Sequence, residues 1–277
     1  MTRLVLLLLV SLPLAWLSAA IPTDDSPAKP EDLVFVQKGT LPIIVSAPHG
    51  GRREIPGAPV RTNSNVLNFA TALDGNTVEL TELFAKRLER KLDGKLWLVV
   101  AHFSRQYLDA NRPREGSYES AKARPYYDRY HNSLEAACKA VKKQFGRGLL
   151  LDLHGQGEFN NAICRGTRDG KTVTVLKDRF GWPAVTGKWS ILGQMQRRGY
   201  KVLPDCKADP RTREEPKFNG AYTVQHYGSH TGYAIDAIQL EFGIFLREKR
   251  GQRLETTAND LADCVAGFYE EYLKDAK

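Results

Sequence analysis

Residues 41–51 read LPIIVSAPHGG, and residues 149–155 read LLLDLHG. Each segment begins as a nearly continuous apolar run, which is typical of a strand that is buried on both faces of an α/β sheet. Each then ends in a histidine followed by glycine, and glycine allows a ligand to approach the backbone closely. Ligands of such sheets bind beyond the carboxyl ends of the strands. The repeated pattern therefore places His49 and His154 at one prospective site.

The rest of the chain alternates short apolar runs with segments of helical periodicity. The runs predict further strands at 33–36, 96–100, 201–203 and 234–240. The periodicity predicts helices from Asn76 onward and around 126–145, 185–197 and 261–272. Asn76 and Glu79 also have the spacing of a capping box. Strands that alternate with helices predict an α/β domain with a largely parallel or mixed sheet.

The N-terminal residues have the pattern of an export signal. Arg3 precedes an apolar run over residues 4–17, and residues 18–20 are small, as signal peptidase requires. The run is short for a membrane span, which needs about 20 apolar residues. We therefore expect residues 1–20 to be a cleaved signal peptide, with no stable membrane insertion afterwards and a secreted or periplasmic location. An uncleaved N-terminal anchor is the alternative.

The remainder of the chain is predicted to be a tether and one domain. Residues 21–31 are rich in proline, aspartate and other polar residues, which predicts a disordered tether. Residues 32–277 contain no linker or shift in composition that would divide them, so we expect a single domain. The formal charge of the whole chain is +8. The basic residues are scattered and form no nucleic-acid-binding motif, so the charge fits a solvated surface or an anionic substrate.

Cysteine spacing argues against one class of metal site. None of the four cysteines belongs to a C-x-x-C pair, so a cysteine zinc cluster is not expected. An exported protein can form disulfides, and four cysteines allow three pairings. The sequence leaves disulfides and free buried thiols open for Cys138, Cys164, Cys206 and Cys264.

Two histidines in matching contexts indicate a borderline-soft divalent metal, above all zinc. Each histidine taken alone would be more typical of a structural residue than of a metal ligand. Asp152 points to the same side of its strand as His154, so its carboxylate could orient the imidazole. A catalytic zinc usually has three protein ligands and one water, and the third ligand should be a carboxylate here. Glu54 and Asp74 are the two candidates.

Other polar residues at strand ends suggest a substrate site. Guanidinium groups bind carboxylates through two parallel hydrogen bonds, and an asparagine adds a donor. This interpretation applies to Arg105, Asn111 and Arg112. The alternative is that these residues pair with Asp109 or hold a loop. Glu241 ends an apolar run and is either a general base beside a metal-activated water or a structural ion-pair partner.

Four segments, taken together, resemble the N-formylglutamate amidohydrolase family. They are residues 46–50, 104–113, 151–155 and 237–241, and they occur in the family's order. The resemblance extends over about residues 41–247. The family belongs with the zinc-carboxypeptidase-like folds, which implies a single three-layer domain with a mixed central sheet flanked by helices.

The resemblance also implies roles for individual residues. His49 and His154 match the metal-binding histidines of one zinc ion. In the carboxypeptidase-like plan the carboxylate ligand begins the helix after the first histidine, which favours Asp74 over Glu54. Glu241 matches the general base. The positions suited to a substrate carboxylate are Arg105, Asn111 and Arg112.

The expected activity is that of a zinc-dependent hydrolase of carbon–nitrogen bonds in non-peptide amides. The family's named reaction is cytoplasmic and this chain carries an export signal, so the resemblance implies a substrate class rather than one substrate. That class is a small anionic amide or peptide-like molecule cleaved beside a carboxylate. One alternative is a zinc peptidase or γ-glutamyl hydrolase acting on wall or polymer substrates. Another is a non-catalytic exported binding protein of the same fold.

Overall fold

A computed structural model of the protein describes residues 27–66 and 68–275. The predicted signal peptide lies outside these residues. The last two positions of the predicted tether, 30 and 31, belong to a short helix, α1 (Pro30–Leu33). None of the helices in the described ranges has the length and apolar character that crossing a bilayer would require.

The described strands form one mixed sheet in the order β1-β3-β2-β4-β7-β5-β6. They are β1 (Val34–Gln37), β2 (Ile43–Ala47), β3 (Trp97–Ala101), β4 (Gly148–Gln156), β5 (Ala162–Gly166), β6 (Lys201–Leu203) and β7 (Ile235–Gly243). Strands β3, β2, β4 and β7 are parallel neighbours. Strand β1 runs antiparallel to β3, and β5 runs antiparallel to β7. The predicted mixed sheet is confirmed.

Helices cover both faces of this sheet. They are α2 (Thr77–Leu92), α3 (Arg114–Ser117), α4 (Arg124–Phe145), α5 (Thr174–Phe180), α6 (Pro183–Thr186), α7 (Ile191–Arg197), α8 (Tyr222–Tyr227) and α9 (Arg253–Tyr272). The buried side chains of α2, α7 and α9 share one apolar core with the sheet, and those of α4 share a second. This arrangement is the predicted three-layer domain.

Strand β4 shows why the sheet is apolar on both faces. Successive side chains of a strand point to opposite faces. Leu149, Leu151 and Leu153 accordingly enter the core on the α2 and α9 side, whereas Leu150 packs on the α4 side. Asp152 is the next residue of the strand after Leu150 to point to the α4 side, and it is fully buried. The apolar run therefore ends in a buried polar position, close to the carboxyl end of the strand.

The predicted capping box at the start of α2 is wrong, although the helix begins where predicted. Asn76 has a left-handed backbone with φ 62°, and its side chain caps nothing in α2. Its Nδ2 donates instead to the carbonyl of Arg247 at 2.8 Å. Glu79 accepts from Lys249 Nζ at 2.9 Å. Both side chains therefore connect α2 to the segment that follows β7.

Other departures from the sequence-based expectations concern one additional strand and the bounds of two predicted helices. Strand β5 was not predicted, and the helix expected over 185–197 is divided into α6 and α7. The C-terminal helix begins eight residues before the expected 261, at Arg253. For the helices, the apolar stripe is interrupted between α6 and α7 and is sparse in the first turns of α9, which accounts for these differences.

All four cysteines are free thiols. Three of them, Cys138, Cys164 and Cys264, are buried, and Cys206 is partly buried. Burial raises the pKa of each thiol. Because the thiolate is the reactive form, these cysteines act as small packing residues.

Candidate metal centre and its cleft

The three central parallel strands bring the candidate site residues together. His49 follows β2, His154 lies near the end of β4, and Glu241 lies near the end of β7. Strand β4 pairs with both β2 and β7, and the register places His154 directly opposite Glu241. Asp74 comes from the loop that leads into α2. The site therefore forms where parallel strands end, as ligand sites of such sheets do.

Three ligand atoms converge in this site. His49 Nδ1 lies 3.2 Å from His154 Nδ1, and Asp74 Oδ2 lies 3.3 Å from His154 Nδ1 and 3.5 Å from His49 Nδ1. With metal–ligand bonds of about 2.0–2.1 Å, two ligands of a tetrahedral zinc ion lie about 3.3–3.4 Å apart. All three residues are buried. The spacing of the two imidazoles and the carboxylate is therefore compatible with their holding one zinc ion.

Glu54, the other candidate carboxylate, is placed differently. It is exposed in the loop after His49 and lies beside Tyr107. Asp74 Oδ2 accepts a hydrogen bond from the backbone N–H of Gly155 at 3.1 Å, which anchors it next to His154. The structure therefore places Asp74, and not Glu54, beside the two histidines.

In each histidine of the cluster, the ring nitrogen that does not face the cluster, Nε2, lies beside a buried aspartate. His49 Nε2 lies 2.6 Å from Asp109 Oδ1, and His154 Nε2 lies 2.9 Å from Asp152 Oδ2. When Nε2–H donates to the carboxylate, the lone pair of Nδ1 is free for a metal. Ser46 Oγ donates to the other oxygen of Asp152 at 2.6 Å. The expectation that Asp152 and His154 share a strand face is confirmed.

The charges of the site favour a bound cation. Burial alone would raise the pKa of Asp74, but its contacts with His154 and His49 outweigh this and hold the pKa below its usual range. The pKa of Asp109 is also held low, by His49 and Arg105 against burial. Burial would lower the pKa of His154, yet the charges of Asp152 and Glu241 raise it. A metal ion can replace the proton that these carboxylates stabilise on the histidine.

Arg105 and Arg112 hold the loop after β3. Arg105 donates from Nε to Asp109 Oδ2 at 2.9 Å, and its Nη2 also lies 2.9 Å from this oxygen. Arg112 donates from Nη1 to the carbonyl of Asn111 at 2.8 Å and from Nη2 to that of Asn68 at 2.7 Å. The Nε of Arg112 is buried, lies 3.8 Å from Asp109 Oδ2 and has no hydrogen-bond partner among the described residues. Both arginines therefore have the alternative role, in which they hold the loop after β3. Both side chains also line the cleft.

Asn111 is part of the same scaffold. Its Oδ1 accepts from the backbone N–H of Thr223 at 2.7 Å, which connects the loop after β3 to α8. His131 donates from Nε2 to the carbonyl of Ala110 at 2.9 Å. Burial lowers the pKa of His131 to about 4, so its imidazole is neutral. These contacts fix the backbone of the loop that carries Asp109 and Asn111.

Glu241 is held by a residue that the sequence did not single out. Gln239 Nε2 donates to Glu241 Oε1 at 2.9 Å, and Gln239 Oε1 accepts from the backbone N–H of Ala221 at 2.8 Å. Burial raises the pKa of Glu241 to about 7. Gln239 and Glu241 lie two residues apart and therefore on the same face of β7. This spacing is the feature of the sequence from which their contact could have been predicted.

Arg247 is the second residue that the sequence did not single out. Its buried guanidinium donates to the carbonyls of Phe242 at 3.0 Å, Gln156 at 3.3 Å and Gly75. Each carbonyl lies within two residues of a candidate metal-binding or catalytic side chain. Arg247 therefore connects the backbones that carry Asp74, His154 and Glu241.

A cleft with two lobes opens above the cluster. The inner lobe has a volume of about 710 Å³ and contains the His49, Asp74 and His154 cluster together with Glu241 and Arg247. The outer lobe has a volume of about 750 Å³. The residues that line both lobes are Asn111, Arg112, Lys217 and Ala221. The cluster is thus open to a space large enough for a small substrate.

No family model matches this chain, and no curated protein matches it either. Solved structures do match. N-formylglutamate amidohydrolase from Ralstonia eutropha JMP134 has a TM-score of 0.62 and 18% identity, over 87% of this chain and 99% of that chain. A gene product of Agrobacterium tumefaciens has a TM-score of 0.54 and 13% identity, over 87% of this chain and 95% of that chain.

This chain has the fold of N-formylglutamate amidohydrolase. The fold class implied by the resemblance is confirmed over most of the chain, including the mixed sheet and its two helical layers. At these identities the likeness is one of fold, and the chemistry of the site follows from the arrangement of its own residues.

Proposed function

We propose that this protein is an exported, zinc-dependent amidohydrolase that cleaves an amide bond next to a carboxylate. The observation that carries the proposal is the buried triangle of His49, Asp74 and His154 with Glu241 on the adjacent strand. The fold shared with an amidohydrolase and the guanidinium groups in the cleft support it.

The two histidines and Asp74 would hold the ion. When bound, zinc polarises the amide carbonyl and lowers the pKa of a water molecule to about 7. Asp109 and Asp152 keep the Nε2 protons in place, so that the Nδ1 atoms remain available as ligands.

Glu241 is the proposed general base and acid. As a carboxylate it accepts a proton from the attacking water, and it then passes this proton to the departing nitrogen. A pKa of about 7 suits both steps near neutral pH. Gln239 holds one carboxylate oxygen and so fixes the direction of the other.

Arg105 and Arg112 are the proposed contacts for the substrate carboxylate. Both are partly accessible from the cleft, with side-chain exposures of 12% and 16%. Asn111 also lines the cleft and is proposed to complete this end of the site, so the substrate is a small anionic amide or peptide-like molecule.

The test combines metal analysis with an activity panel. Purified protein should contain about one zinc per chain and should release free amino acid from N-acyl amino acids, with dicarboxylic ones preferred. Shortened chains released from γ-glutamyl polymers would favour a polymer hydrolase of the same fold instead. Bound zinc without turnover of any amide would favour a binding protein.

Export is a separate part of the proposal. Residues 18–20 are small and follow the apolar run, so the exported chain should begin near Ile21. N-terminal sequencing of the protein from the medium or periplasm tests this. Met1 retained in a membrane fraction would indicate an anchor.

A further inference from the structure

The charged side chains that line the outer lobe of the cleft are all positive. Its lining contains three cationic side chains, Arg112, Arg168 and Lys217, and no aspartate or glutamate among the residues described there. The inner lobe, in contrast, mixes cations with the carboxylates of the metal cluster. A cleft lined by one sign of charge concentrates ligands of the opposite sign.

The cations of the outer lobe are available to a ligand. Arg168 is exposed, donates from Nη1 to Asn219 Oδ1 at 3.1 Å and belongs to none of the ion pairs found among the described residues. Lys217 pairs with Glu158 at 2.8 Å, but both side chains are exposed, and such pairs contribute little free energy. The side chain of Arg112 is 16% exposed and lines this lobe as well.

The two lobes are adjacent, because Asn111, Arg112, Lys217 and Ala221 line both of them. A ligand that passes these shared residues would have one end at the metal cluster and the other end in the outer lobe. Pockets of about 300–1,000 Å³ each accommodate a drug-sized ligand. Each lobe alone falls in this range, and together they offer more room than a single N-acyl amino acid fills.

We propose that the outer lobe is an anion subsite that binds a second acidic residue of an extended substrate. This inference rests on the proposed function, because it assumes that the inner lobe holds the scissile amide. The substrate class is then an amide built from at least two carboxylate-bearing units, with one carboxylate near Arg105 and Arg112 and another near Arg168.

The experiment compares two ligands that differ by one acidic unit. N-acetylglutamate and N-acetyl-γ-glutamylglutamate are titrated calorimetrically into the zinc-loaded Glu241→Gln chain at low ionic strength, where charge contacts are least screened. The titrations are repeated after adding Arg168→Gln. The matched control is Arg211→Gln, since Arg211 is 80% exposed, pairs with Asp209 and lies outside the cleft lining.

The longer ligand should bind about tenfold more tightly than the shorter one, as one additional charge-assisted contact would give. Arg168→Gln should remove most of this gain and leave the affinity for N-acetylglutamate unchanged, whereas Arg211→Gln should change neither. Equal affinities for the two ligands would overturn the subsite, as would an equal loss for both in Arg168→Gln. Failure of the wild-type chain to hydrolyse any amide would count against the proposed function and leave this comparison of affinities valid.

Discussion

Asp109 and Asp152 occupy equivalent positions beside the two histidines, yet only Asp152 was predictable in that role. Asp152 shares a strand with His154, and the two-residue period of a strand places both on one face. Asp109 comes from the loop after β3 and meets His49 across 60 positions of chain. Its sequence neighbourhood suggested only that it pairs with Arg105, Asn111 or Arg112, and the ion pair with Arg105 is present. Contacts within one element could be derived, and those between distant loops could not.

Replacing the proposed ligands should remove the metal and leave the fold intact. His49→Ala, His154→Ala and Asp74→Asn should each lower zinc occupancy sharply, because a catalytic site has only three protein ligands. Glu54→Gln is the matched control for Asp74→Asn and should retain full zinc. Elemental analysis beside circular dichroism measures both properties. Full zinc in the Asp74 and histidine variants would contradict the assignment of the cluster.

Glu241→Gln should retain zinc and lose turnover. Glutamine is nearly isosteric but cannot accept a proton, and positioned acid–base groups contribute typically about 10²–10⁴-fold. The loss should therefore fall in kcat, with KM little changed. Glu248→Gln makes the same substitution elsewhere in the cleft lining and serves as the control. A wild-type kcat in Glu241→Gln would make Glu241 a structural residue.

The buried central strands were predictable as elements because their apolar runs are nearly unbroken. Strand β5 was not predictable in this way, since it reads Ala-Ile-Cys-Arg-Gly and ends in small and polar residues. It is stabilised by contacts from elsewhere in the chain. Arg165 donates to Glu214 at 2.8 Å, and Glu214 also accepts from Thr167. A strand that depends on a distant carboxylate leaves no periodic pattern in its own sequence.

Gly155 shows how the elements around the site constrain one another. A Cβ at this position would overlap the guanidinium of Arg247, whereas a Cβ on Gly157 would meet nothing within 4 Å. Gly155→Ala should therefore displace Arg247 from the carbonyls that it connects, at a cost of about 1–3 kcal/mol, as overpacking usually has.

Thermal unfolding and zinc affinity together test this expectation. Gly155→Ala should lower both Tm and zinc affinity, because the displaced backbones carry Asp74 and His154. Gly157→Ala, two residues further along and just past the end of β4, should change neither. Unchanged zinc affinity in Gly155→Ala would show that Arg247 does not position the metal centre.

On the scale of the whole molecule, stability and site chemistry are partly separate. Two apolar cores, one on each face of the sheet, form without any contribution from the cluster. We therefore expect the metal-free chain to remain folded at neutral pH. The site instead affects how stability depends on pH, because its carboxylates have pKa values shifted in opposite directions.

Asp74 and Asp109 define the acid side of this dependence. Their pKa values are lower in the folded chain than the ordinary 3.8. The stability they contribute is present above that value and is lost as the pH falls through the folded pKa values. Acid should therefore destabilise the protein below about pH 4, where the unfolded chain takes up protons that the folded site resists.

Glu241 has the opposite effect, and it gives a distinct prediction. Its pKa rises from the ordinary 4.5 to about 7 on folding because burial disfavours the charged form. Between these values the folded chain binds a proton that the unfolded chain has lost, so stability falls as the pH rises through this window. The cost at pH 8 is on the order of 3 kcal/mol for a shift of this size.

Glu241→Gln should thus raise the Tm of the metal-free chain at pH 8 and leave it nearly unchanged at pH 4.5, as measured by thermal unfolding in chelator. An equal Tm for both chains at pH 8 would mean that Glu241 titrates near its ordinary pKa, and a general base with a pKa near neutrality would no longer be supported.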